Sequence, residues 1–121
     1  MTRQEITNTR DLTFSNWIRE RLPDSNTGFL VSDLDFIFEN YKTKKVMFLE
    51  VKTRGADLRY WQTKLFNNLD RWIRNGIDDG WIYLGFHTVQ FENTFFNDGK
   101  CYLEGKETTE QELINIFYLI N

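Results

Sequence analysis

The sequence predicts an α/β sandwich, with helices flanking a mixed β-sheet in a single domain spanning 1–121. The hydrophobic period switches between about 3.6 and 2 residues along the chain, in the order helix, two strands, helix, strand, small hairpin, helix. The composition, 40% hydrophobic and 17% aromatic over 121 residues, is far too apolar for disorder, and a chain of this length removes about two thirds of its unfolded surface from water. There is one proline, with no repeat or low-complexity tract to mark a linker. The fold class by itself says nothing about function.

Phe14, Trp17, Ile18 and Leu22 recur at helical spacing after Thr13, a candidate N-cap, and Pro23 stops the pattern, which predicts a helix over 14–22. The turn formers of 24–28 lead into an extended run over 29–39, and 40–45 turns the chain into a second strand over 46–52. Leu58, Trp61, Leu65, Leu69 and Trp72 then mark one face of a helix between Asp57 as N-cap and Gly76 at its C-terminal end. The stretch 81–91 reads as a strand covered on both faces. Asn97-Asp98-Gly99 is a hairpin turn signal, and Thr109-x-x-Glu112 is a capping box opening a helix that presents Leu113, Phe117 and Ile120.

Cys101 and His87 are the only cysteine and histidine. No internal disulfide, zinc ribbon or two-histidine acid/base pair is possible, so any chemistry must come from other side chains. The net charge of −3 conceals an uneven distribution. Residues 42–74 carry 9 basic and 3 acidic side chains, whereas 1–41 carry 4 and 7, and 75–121 carry 2 and 8. No apolar run reaches the ~18 residues of a membrane span, and the opening residues lack the apolar core of a secretion signal, so the expected location is the cytoplasm.

An antiparallel hairpin of 33–39 with 45–52, in which paired residue numbers sum to 85, puts Leu34, Phe36 and Phe38 with Met47, Leu49 and Val51 on an apolar core face. The other face opposes Asp35 to Glu50 and Asp33 to Lys52. Carboxylates directly across a ladder lie about 4.5–5.5 Å apart between Cβ atoms and repel. A divalent cation held between them removes the penalty, and hard oxygen ligands suit Mg²⁺ or Mn²⁺. Two carboxylates, such a cation and Lys52 would equip the chain to activate water against a phosphodiester. A plain ion cluster serving Asp33 and Glu50 through Lys52, with no metal, is the alternative. A slip of two residues would oppose Asp33 to Glu50 instead.

Ser32-Asp33-Leu34-Asp35-Phe36-Ile37-Phe38 followed by Leu49-Glu50-Val51-Lys52 resembles the PD-(D/E)xK nuclease superfamily, over about residues 14–91. The resemblance implies a restriction-endonuclease-like fold and a Mg²⁺-dependent (or Mn²⁺-dependent) nuclease, with DNA the favoured substrate. It also implies metal ligation by Asp35, Glu50 and the Val51 carbonyl, and a catalytic role for Lys52; Asp33 is an auxiliary candidate. Gln62-x-x-x-Phe66 is similar to the Gln-x-x-x-Tyr of one branch, with the hydroxyl lost, which implies that Gln62 helps orient the site. Several members act as dimers, so a homodimer is a candidate state. A noncatalytic nucleic-acid-binding module of the same fold is the second reading.

Arg54, Arg59 and Lys64 follow the motif where a phosphate backbone would lie. Glu20 is a lesser metal candidate and more simply a solvated helix residue. His87, in a largely apolar strand, reads as structural. Tyr60 and Trp61 beside Arg59 have the chemistry to stack on bases, although Trp61 belongs to the predicted core stripe.

Overall fold

The structure is a computed structural model that describes residues 12–119. The chain divides into two compact units, Met1–Ser32 and Asp33–Asn121. The described part of the first unit holds helix α1 (Thr13–Arg21) and a 3₁₀ turn at Ser25–Thr27. Thr13 is the first helical residue rather than the cap, since the cap position falls on Leu12 and carries no side-chain bond. The helix buries none of its residues, and Phe14 stacks on Trp17 at 5.4 Å between ring centroids.

The second unit is α/β. Strands β1 (Phe36–Asn40), β2 (Lys45–Lys52), β3 (Ile82–Phe91), β4 (Cys101–Leu103) and β5 (Lys106–Thr108) form one mixed sheet in the order β1-β2-β3-β4-β5. Helix α2 (Tyr60–Gly76) joins β2 to its parallel neighbour β3, the length of connection a parallel pair requires, and every other pairing is antiparallel. Helix α3 (Glu110–Phe117) closes the chain's described part, with the Thr109 hydroxyl accepting from the Glu112 N–H as its cap.

The β1–β2 ladder runs from Phe36 opposite Leu49 to Asn40 opposite Lys45, so paired numbers sum to 85 as the parity argument requires. β1 is shorter than the extended run of the sequence. Residues 33–35 lie before the strand, Asp35 in a bend, and the anticipated Asp33–Lys52 ladder pair is absent. Leu49, Val89, Phe91, Cys101 and Leu113 form the core on one face, with Phe38 and Phe117 packed against them in edge-to-face contact at 4.9 Å. The other face is covered by α2, whose Phe66 stacks on Phe86, the ladder neighbour of Phe48.

Two expectations are corrected here. Phe66 is the buried residue of α2 and Leu65, Leu69 and Ile73 are half-buried, whereas Trp61 and Trp72 of the expected stripe are exposed, and the helix starts at Tyr60 and not after Asp57. The Asn97-Asp98-Gly99 turn is part of a longer connection containing a 3₁₀ turn at Phe96–Asp98, and the tight hairpin lies between β4 and β5, where Glu104 and Gly105 both have positive φ (52° and 80°). Two left-handed residues in succession match the right-handed twist of a two-residue hairpin.

Candidate active site

The end of β2 carries Glu50, Val51 and Lys52, and the bend before β1 brings Asp35 against them. Because the ladder ends at Phe36–Leu49, the Val51 N–H finds no strand partner on the β1 side. It donates instead to Asp35 Oδ2 at 2.8 Å. Within a strand the N–H and C=O of one residue point to the same edge. The Val51 carbonyl is therefore directed to the edge on which the Asp35 carboxylate sits.

Glu50 is 3% exposed. Its Oε2 is buried without a donor. The neighbour of the Glu50 carboxyl is another carboxyl, that of Asp35, and Asp33 adds negative charge. Burial is the largest cause, and the shared hydrogen bond and charge of Asp35 add to it; together they push the Glu50 carboxyl up to about 8, against a partial offset from Lys52. Glu50 is thus poised to be neutralised by a proton or by another cation.

Lys52 leaves the same face two residues on and donates from Nζ to Gln62 Oε1 at 3.2 Å. The same oxygen accepts from the Arg59 N–H at 3.1 Å, so Gln62 satisfies an otherwise orphaned donor at the start of α2 while it fixes the lysine. Asp57, expected to cap this helix, instead accepts from Gln90 Nε2 at 2.6 Å. Gln90 is opposite Lys52 in the β2–β3 register and also donates to the Ala56 carbonyl at 3.2 Å. Gln90 thereby ties the loop before α2 to the sheet. Its part went unnoticed in the sequence, where it is one polar residue in a strand.

The structure brings Asp35, Glu50, Val51, Lys52 and Gln62 together, with Asp33 close enough to act on Glu50 through its charge. Arg54 lies exposed just beyond β2 with φ 55°, and its N–H donates to the Asn93 carbonyl at 2.7 Å. Arg59 and Lys64 lie exposed at the N-cap and on the first turns of α2. Glu20 is exposed on α1 in the first unit. His87 is held elsewhere, with Nε2 2.7 Å from the Leu84 carbonyl and Nδ1 3.2 Å from Glu104 Oε1.

Two facing carboxyls with an orphaned oxygen fit a hard cation. Among the described residues no group of three or more His, Cys, Asp or Glu side chains is placed to hold a metal. Mg²⁺, however, is commonly held by one or two carboxylates and keeps several waters. Among the described residues no helix is long and apolar enough to cross a membrane. No family model, curated protein or solved structure matches the chain.

Proposed function

We propose that the protein is a divalent-metal-dependent nuclease of the PD-(D/E)xK type, with a restriction-endonuclease-like fold, hydrolysing phosphodiester bonds of nucleic acid, DNA above all, inside the cell. The observation that carries this reading is Glu50 Oε2, buried with no donor to satisfy it, on a carboxyl that interacts with that of Asp35. An ion cluster built for stability would give that oxygen a cationic donor, whereas Lys52 acts on Glu50 through its charge and gives its hydrogen bond to Gln62.

Asp35, Glu50 and the Val51 carbonyl would hold Mg²⁺ or Mn²⁺, which when bound lowers the pKa of a water and offsets charge at phosphorus. The chain's own residues do the positioning. Asp35 is locked by the Val51 N–H, so its free oxygen has a fixed direction. Lys52, held by Gln62, brings a positive charge to the edge of the carboxylate pair, where it orients the attacking water and compensates charge growing on the phosphoryl oxygens. Arg54, Arg59 and Lys64 hold the flanking phosphates.

The test is incubation of the protein with single-stranded, duplex and branched DNA and RNA in Mg²⁺, Mn²⁺ or EDTA, beside Lys52→Ala. Metal-dependent cleavage that falls at least about 100-fold in Lys52→Ala is expected, as for loss of a group acting on transition-state charge. Absence of cleavage with both metals overturns the enzyme reading, and binding that persists under those conditions would make the chain a noncatalytic nucleic-acid-binding module.

A further inference from the structure

Helix α2 opens with two aromatic rings directly before Gln62, and both are turned to solvent. Tyr60 is 77% exposed and Trp61 41% exposed, which is a large apolar surface to leave in water at the first turn of a helix whose inner face is packed. Each ring carries a cation. The Arg59 guanidinium carbon sits 5.3 Å from the Trp61 ring centroid, and Lys64 Nζ 5.9 Å from that of Tyr60. Neighbouring helical residues diverge by about 100°. The two rings therefore cannot sandwich one base, and they offer separate π-faces to two.

We propose that Tyr60 and Trp61 form a stacking platform for unpaired bases and that the preferred ligand is a single-stranded segment of nucleic acid led past the site. This rests on the nucleic-acid reading of the same site. Charge complementarity selects the occupant, since an apolar protein partner would gain nothing from Arg59 and Lys64 over the rings, while phosphates flanking a stacked base meet them. In a duplex the base faces are already covered by their neighbours, so only a strand with splayed bases uses the platform. Gln62, next in the chain, touches Lys52 Nζ at 3.2 Å, which places the platform beside the carboxylate pair.

The test is fluorescence-anisotropy binding in EDTA, where nothing is cut, with three probes: a short oligothymidylate, an abasic strand of the same length, and a duplex. The full chain is expected to bind the oligothymidylate more tightly than either other probe. Tyr60→Ala/Trp61→Ala is expected to weaken that binding by about 5- to 100-fold for each of the two base stacks lost, and to leave abasic binding unchanged. Tyr60→Phe/Trp61→Phe, which keeps both rings, is expected to retain the preference. Equal affinity for the abasic strand, tighter binding to duplex, or a preference that survives in the alanine variant would overturn the proposal. Because metal is absent, the result is independent of cleavage: lost cleavage with intact base preference removes only the nuclease, and cleavage without base preference removes only the platform.

Discussion

A carboxyl buried against another carboxyl, as Glu50 is against Asp35, is neutralised by a proton or by a metal. The direction of the resulting pH dependence is fixed. The folded state holds the Glu50 proton up to about 8, whereas an ordinary glutamate releases it near 4.5. Between those values the folded state binds more protons than the unfolded one. In EDTA, the Glu50 contribution to stability is therefore full below pH 4.5, falls by up to about 1.4 kcal/mol per pH unit as the pH rises, and is lost above about 8. Urea unfolding at a series of pH values checks this. Glu50→Gln is expected to flatten that part of the profile, and Mg²⁺ at pH 8 is expected to restore stability to the native chain and not to the variant. A native profile already flat from pH 5 to 8 in EDTA would remove the basis for the cation reading.

At the scale of elements, the first turn of α2 and the lysine of β2 share one oxygen. Gln62→Ala is expected to lower stability by about 1 kcal/mol, through loss of the bond to the Arg59 N–H, and to lower the kcat of cleavage about tenfold or more with KM little changed. Gln62→Glu, which keeps an acceptor there, is expected to recover the stability. Denaturant titration together with steady-state kinetics separates the two effects. The hairpin that carries the site was legible because strict alternation of Phe36, Phe38, Met47 and Leu49 fixes which face is core, a one-residue slip inverting every side chain, and the centre of the 40–45 turn picks the observed register among those that keep the faces. The stop of β1 at Phe36 was not legible, because Asp35 leaves the ladder to bond the Val51 N–H through its side chain, a choice that alternation does not encode. The face of α2 was misjudged at its two tryptophans, while Leu65 and Leu69 of the expected stripe are half-buried. Tryptophan reads as core by hydrophobicity, yet Trp61 and Trp72 face water while Phe66 is buried. The β4–β5 hairpin escaped notice because Glu104-Gly105 lacks the Asn or Asp that ordinarily announces such a turn. Of the site, the charged residues and Gln62 were visible as types at a spacing. Their common contact point was not, since Lys52 and Gln62 meet only once the chain crosses from β2 to α2.

Across the whole chain, the total of −3 is the sum of a basic middle and two acidic flanks. Binding of a polyanion follows the local charge, not the sum. Three phosphate contacts from Arg54, Arg59 and Lys64 give an expected slope of about −2 for log K against log salt with a single strand, and each neutralised to Gln is expected to reduce the slope by about 0.7. A salt titration of oligonucleotide binding measures both, and a slope unchanged in all three variants would place the phosphates elsewhere. The Val51 amide, at the end of a central strand and bonded to Asp35 rather than to backbone, gives the molecule an internal indicator. Its proton resonance is set by the position of that one carboxylate. In a heteronuclear spectrum a single backbone peak is therefore expected to report cation arrival and substrate approach, with every side chain of the site left intact.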